Sequence, residues 1–124
     1  MSDDTPELTP SQCHILYEKG TEPPFSSELL KEKREGVYVT ADTGLPVFTS
    51  DTKFESGTGW PSFFDAIEEN IILEADNSHG MHRVEVLSKD TRSHIGHVFD
   101  DGPVPTGKRF CINGEVLKFI PKKV

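Results

Sequence analysis

Cysteine is scarce in this chain: two in 124 residues, Cys13 and Cys111, too few for a disulfide framework. Basic charge is scarce as well. Thirteen Lys and Arg stand against 21 Asp and Glu, leaving a net charge of −8. That balance argues against a nucleic-acid backbone or an anionic membrane as the main partner. No apolar run approaches the roughly 20 residues that a membrane helix needs. The opening "MSDDTPELTP" is acidic and polar, so neither a secretory signal nor a transit peptide is expected. A cytoplasmic protein, with its thiols kept reduced, is the default expectation. Repeats, low-complexity tracts and dividing linkers are also missing, and the reading is one domain over residues 1–124. At this length about two-thirds of the unfolded surface can be buried, enough for an unaided core.

What is present falls into two textures. "TPSQCHILYEKG", residues 9–20, predicts a short helix. Thr9 is placed to cap it, Pro10 suits its first turn, Gln12 completes a capping box and Gly20 ends it. Cys13 would then share a face with Leu16 and Tyr17. A second helix is expected after Ser26 or Ser27 through "ELLKEKRE", with the prolines of "TEPPF" dividing the two. Beyond Gly36 the chain turns to short runs rich in β-branched and aromatic residues: "VYVT", "LPVF", "IILEA", "HRVEVLS", "SHIGHVF", "RFCI" and "VLKFI". These predict antiparallel strands, and the Asn-Gly pair in "RFCINGEVLKFI" predicts a hairpin. The fold class is mainly β, with two short N-terminal helices packed on it.

Candidate chemistry gathers late in the chain. In a strand, Arg109 and Cys111 point one way and Phe110 and Ile112 the other. A thiol beside Arg109 and near Lys108 is expected in a positive field that favours the thiolate. The plain alternative is a small buried hydrophobe. His94 and His97 would lie on opposite faces of a regular strand, unless a bulge at Gly96 brings them together. They then suit proton transfer near neutral pH, or else form an ordinary structural pair. No third ligand at a recognisable spacing supports a metal. His79 and His82 read as surface or turn residues, His14 as a solvated helix residue. In "GTGWPSFF", the glycines and Pro61 put Trp60, the single tryptophan, on a turn where it can line a pocket.

Taken together, "GTEPPF", "GTGWPSFF", "SHGMHRVEV", "SHIGHVFDDGPVPTGKRFCING" and "LKFIP" resemble the methionine-R-sulfoxide reductases, the MsrB family, from about Gly20 to Pro121. The resemblance implies two antiparallel sheets with helices at the N-terminal side, and no cofactor. It implies Cys111 as the nucleophile that attacks a sulfoxide sulfur, leaving a sulfenic acid. Arg109, His94, His97 and Asn113 would surround the thiol and the substrate oxygen, with His97 the better candidate for orienting or protonating that oxygen. Trp60 would receive the substrate methyl and so select one stereoisomer, with Phe63 and Phe110 as further substrate-binding aromatics. The implied partners are methionine-R-sulfoxide in proteins and peptides, and thioredoxin or a similar thiol reductant.

The departures from the family pattern are specific. Many members carry two Cys-x-x-Cys pairs for a structural zinc. Here Thr40, Thr43, Ser88 and Thr91 occupy those positions, and no metal is expected because hydroxyls do not replace thiolates. Many also carry a resolving cysteine where this chain has Thr58. Cys13 becomes the remaining internal candidate, with direct reduction by an external thiol as the other route. A non-catalytic binding module using the Trp60 pocket and a cysteine hydrolase are the competing readings.

Overall fold

The computed structural model describes residues 8–77, 80 and 82–122. His79 lies outside the described residues. Helix α1 runs Pro10–Glu18, with Thr9 and Gln12 forming the reciprocal capping box expected from the sequence. Its C-cap is Lys19, in the left-handed conformation, rather than Gly20. Gly20 is required instead by packing, since a Cβ there would collide with the His14 ring. α1 buries Ile15 and Leu16, whereas Cys13 is half-buried and Tyr17 exposed, so the face expected to hold Cys13, Leu16 and Tyr17 is packed only at Leu16. The second expected helix is only a 3-10 turn, Glu28–Lys31, capped by the Ser27 side chain. None of its residues is buried, and without an apolar face to pack, a helix this short is not held. The Glu32 carboxylate ends it by accepting from the Arg34 backbone and guanidinium.

Among the described residues nine strands follow: β1 Gly36–Thr40, β2 Pro46–Thr49, β3 Lys53–Phe54, β4 Ser62–Phe63, β5 Ile71–Asp76, β6 Arg83–Ser88, β7 His94–Phe99, β8 Arg109–Ile112 and β9 Leu117–Pro121. They form two antiparallel sheets, β2-β1-β9 and β3-β4-β8-β7-β6-β5. Alternation decides which side chains enter the core between them. Phe48 of the small sheet stacks on Phe63 of the large one at 4.3 Å, and packs edge-on to Phe110 at 5.7 Å. Tyr38 meets Phe63 at 5.1 Å. Each such ring contributes a large buried apolar area, which holds the two layers together.

The expected hairpin at Asn113-Gly114 does not form. β8 belongs to the large sheet and β9 to the small one, and the chain crosses between them through a 3-10 turn, Gly114–Val116. Gly114 is held to glycine by close packing, since a Cβ there would strike the Ser27 hydroxyl. The bulge expected near Gly96 is present. Val86 pairs with Gly96 and Leu87 with His94, leaving Ile95 as an extra residue in β7. No helix among the described residues is long and apolar enough to cross a membrane.

Candidate active site

The register of the large sheet lines up Ser62, Cys111 and His97 on adjacent strands: Ser62 pairs with Cys111, and Cys111 with His97. Directly opposed residues share a face, so this row lies on the side of the sheet away from the aromatic core. A cavity of about 110 Å³ opens over it, lined by Thr21, Trp60, Arg83, His97, Phe99, Cys111 and Asn113 along with Gly96. Gly96 permits the close approach of β7 and β8, because a Cβ there would meet the Cys111 carbonyl.

The Cys111 thiol is half-buried and free. Burial pushes its pKa up; the Thr58 hydroxyl and the Arg109 guanidinium pull it down, and Glu22 adds to the rise. The net shift is upward, so the positive field expected to favour the thiolate is outweighed by desolvation. Arg109 is also committed elsewhere. It makes a two-pronged pair with Asp101 at 2.8 and 3.1 Å and lies over the Phe99 ring at 4.4 Å.

The bulge brings the two histidine rings to 5.2 Å. Only His97 reaches the cavity. Its Nε2 pairs with the Asp76 carboxylate at 2.8 Å, which fixes the ring and leaves Nδ1 as its second nitrogen. His94 lies behind it, 2 % exposed, with Nδ1 on Glu85 at 2.8 Å and Nε2 without a hydrogen-bond partner among the described residues. Burial holds the His94 pKa below 6.5, against the opposing pull of Glu85.

Asn113 is both at the strand end and beside the thiol. Its Oδ1 accepts from the Glu22 backbone N–H at 2.9 Å, and its Nδ2 donates to the Ile95 carbonyl at 3.2 Å. An amide NH2 has two hydrogens, so one is left for a substrate atom. Trp60 stands on a turn, as expected, with Gly57 and Gly59 at positive φ and its indole N–H donating to the Glu22 carbonyl at 2.9 Å. Phe63 and Phe110, by contrast, are fully buried in the core and line no part of the cavity. The ring that joins Trp60 there is Phe99, two positions beyond His97 on the same strand face. Cys13 sits half-buried on α1, which packs against β7 and the turn after Asn113.

Sequence reasoning missed Glu22. This carboxylate is 2 % exposed and accepts from the backbone N–H groups of Gly114 at 3.0 Å and Glu115 at 2.8 Å. With its own N–H on Asn113 and its carbonyl on Trp60, it fixes both site residues. The Glu22 of "TEPPF" therefore acts as a clamp. The signal was an acidic residue set before two prolines. Asp76 carried no local signal, since it acts across the sheet.

At the far end of the sheets, Thr40, Thr43, Ser88 and Thr91 come together as the zinc-ligand positions of relatives would. Thr40 and Thr43 hydroxyls lie 3.0 Å apart, Ser88 and Thr91 2.9 Å. Thr43 donates to Asp90 at 2.6 Å, and Thr91 and Ser93 donate to Asp42, each at 3.1 Å. These hydroxyls and two carboxylates are hard donors already bonded to one another, and they do not fit a tetrahedral thiolate zinc site.

Residues 8–121 match the family model described as SelR domain. The chain is 56 % identical over 113 residues, 90 % of its length and 80 % of the relative's, to a peptide methionine sulfoxide reductase MsrB of Methanosarcina barkeri. It is 51 % identical over 114 residues, 91 % of its length and 87 % of the relative's, to an MsrB of Leptospira interrogans. A mitochondrial methionine-R-sulfoxide reductase B3 of Mus musculus is 50 % identical over 92 % of this chain, which spans 46 % of that protein. With the family model matched over residues 8–121 and relatives of this identity covering about nine-tenths of it, the chain belongs to the SelR domain family, that of the MsrB methionine-R-sulfoxide reductases.

Proposed function

We propose that Cys111 is the nucleophile with which this peptide-methionine (R)-S-oxide reductase works, and that the cavity over it receives the side chain of methionine-R-sulfoxide. The observation that carries the assignment is the convergence of a thiol, an imidazole, a half-free amide and two aromatic rings on one small cavity. The sulfur of Cys111 attacks the sulfoxide sulfur. The oxygen passes to Cys111 as a sulfenic acid, the thiol proton ends on that oxygen, and methionine leaves. The oxygen becomes transferable only as it gains a proton or hydrogen bonds. His97, oriented by Asp76, and the second amide hydrogen of Asn113 supply these. Arg109, held by Asp101, reduces the electrostatic opposition to the thiolate from outside the cavity. His94 acts behind His97 as its support. Trp60 and Phe99 give the methyl an apolar wall, which suits one sulfoxide configuration and not its mirror image.

Turnover requires the sulfenic acid to be reduced. A thiol attacks it with loss of water, and a second thiol opens the resulting disulfide. In this reading Cys13 supplies the first thiol and thioredoxin or a similar dithiol the second, with direct external reduction as the alternative. The first test follows NADPH oxidation with thioredoxin and thioredoxin reductase on separate R and S methionine sulfoxide peptides. Only the R isomer is expected to turn over, and Cys111→Ser to reduce activity to background. Comparable S turnover, or an active serine variant, would overturn the assignment. The second test counts thiols after one turnover without reductant. A Cys13–Cys111 disulfide is expected; a sulfenic acid on Cys111 beside a free Cys13 leaves external reduction alone.

A further inference from the structure

Behind Cys111 the hydroxyls of three residues form an unbroken chain. The Thr58 Oγ1 lies 3.8 Å from the Cys111 sulfur, the Ser56 Oγ 2.8 Å from Thr58 Oγ1, and the Ser62 Oγ 2.7 Å from Ser56 Oγ. The chain ends where Ser62 donates to the Trp60 carbonyl at 3.0 Å. Two backbone N–H groups lean on it: Thr58 N donates to Ser56 Oγ at 3.3 Å and Trp60 N to Thr58 Oγ1 at 3.5 Å.

Each hydroxyl has one hydrogen and two acceptor positions, so the direction of the chain follows by counting. A carbonyl only accepts, so the Ser62 hydrogen points to Trp60. Ser62 must then accept from Ser56, and Ser56 from Thr58. Thr58 has no hydrogen left for the sulfur, and Cys111 S–H donates to it. Every bond is made, and the thiol is protonated. A thiolate has no hydrogen to give. Thr58 must then donate to sulfur, so three hydroxyl hydrogens serve four contacts and one bond along the chain from Thr58 to the Trp60 carbonyl is given up. The thiolate arrangement thus holds one hydrogen bond fewer.

We propose that Ser56 and Ser62 are positioning residues that keep Cys111 in its resting thiol form, by fixing the direction of the hydroxyl chain through Thr58. Deprotonation sends the thiol proton to solvent and turns each hydroxyl about its own C–O bond, with no other proton transferred. Where the bond given up is the last one, the turn frees the carbonyl of Trp60, the same residue whose ring lines the substrate cavity. The nucleophile and the substrate wall are therefore linked through one hydrogen-bond chain. The charged and titratable groups that also bear on the thiol are Arg109 and Glu22 through their charges, with His97 and Arg83 across the cavity. Arg109, which also hydrogen-bonds the sulfur, favours the thiolate direction and Glu22 the thiol direction, and both are unchanged in the serine variants.

This inference rests on the reading of Cys111 as nucleophile, but its test does not use reductase activity. The pH profile of iodoacetamide alkylation is followed at Cys111 in the full chain, by mass of its peptide. Removing either serine frees Thr58 to donate to sulfur without loss at the Trp60 carbonyl. Ser56→Ala and Ser62→Ala are therefore expected to shift the alkylation midpoint down by roughly 0.5–1 pH unit. Thr58→Val, which removes the donor, shifts it up. Ser56→Thr, which keeps the hydroxyl, restores the unmutated profile. In a Thr58→Val background, Ser56→Ala shifts nothing, because its route to the sulfur is gone. Midpoints that rise or stay in the serine variants, or a Ser56 effect that survives Thr58→Val, would overturn the proposal. A reductase-dead Cys111→Ser beside unmoved midpoints would sink the chain and spare the nucleophile; shifted midpoints beside an active Cys111→Ser would do the reverse.

Discussion

The cluster that ties the turn around Thr40 and Thr43 to the turn around Ser88 and Thr91 is made of the same kinds of group as the cavity around Cys111, hydroxyls and carboxylates close to buried backbone. In the first, donors and acceptors meet one another. Thr43 reaches Asp90 and Thr91 reaches Asp42, so each turn supplies a hydroxyl to the other's carboxylate. In the second, a thiol, one imidazole nitrogen of His97 and one amide hydrogen of Asn113 face open volume. A group already bonded to its neighbour stabilises the fold and has little to offer a substrate; a group held in place but unpaired on one side can react. Both regions hold hydroxyls and carboxylates; what separates them is the pairing, together with the thiol, imidazole and amide that the second supplies.

That contrast can be broken most severely at Glu22, where fold and site meet. Glu22→Ala leaves the Gly114 and Glu115 N–H groups without their acceptor, and is expected to lower stability by about 2–4 kcal/mol in urea titrations. The kcat/KM of the folded fraction should fall by roughly tenfold or more, because the backbone of residue 22 that holds Asn113 and Trp60 loses the carboxylate anchoring it to Gly114 and Glu115. Full activity per folded molecule would show that the clamp serves stability alone. A smaller effect is expected at the far cluster. Thr91→Val removes the bridge to Asp42 and should lower stability by about 1–3 kcal/mol. Its kcat/KM should stay within about twofold of the unmutated value. A matching loss of activity would mean that the two regions are not separate. Elemental analysis is expected to find no stoichiometric zinc in either protein.

The smallest effect concerns acid. The folded-state pKa of His94 lies below 6.5 because burial opposes its charge; Glu85 pulls the other way, and His97 and Lys19 add to the fall. The unfolded chain therefore takes up this proton first. The stability it contributes is present in full above 6.5 and is lost as pH falls from there toward the folded value. His94→Gln should flatten the fall of melting temperature in that window. An unchanged slope would assign the acid sensitivity to other groups.

Most of the fold was legible because alternation and turn chemistry act locally. The seven longer strands and the capped start of α1 follow from short windows of sequence. The two-residue strands β3 and β4 did not, since nothing in two residues marks a strand until β8 pairs with β4. The Asn113-Gly114 turn misled for a related reason. The local hairpin signal yielded to tertiary bonds from Asn113 to Glu22 and Ile95 that no local window contains. In the site, Cys111, Trp60 and His97 stood out by residue type and placement, whereas Asn113 and the roles of all four came from the family resemblance. Phe63 and Phe110 were misplaced because the aromatic core needed them, and Phe99 was overlooked although it shares a strand face with His97.

The bonds from Glu22 to Asn113 and Gly114 join positions 91 and 92 residues apart. During synthesis, a nascent chain that has emerged through β7 carries both histidines and the indole but lacks the thiol and the loop that Glu22 holds. No partial product has a working thiol in a shaped cavity. With Cys111 as the proposed nucleophile, reductive competence arrives only once β8 has been made, after the indole and both histidines of β7 are already in the chain.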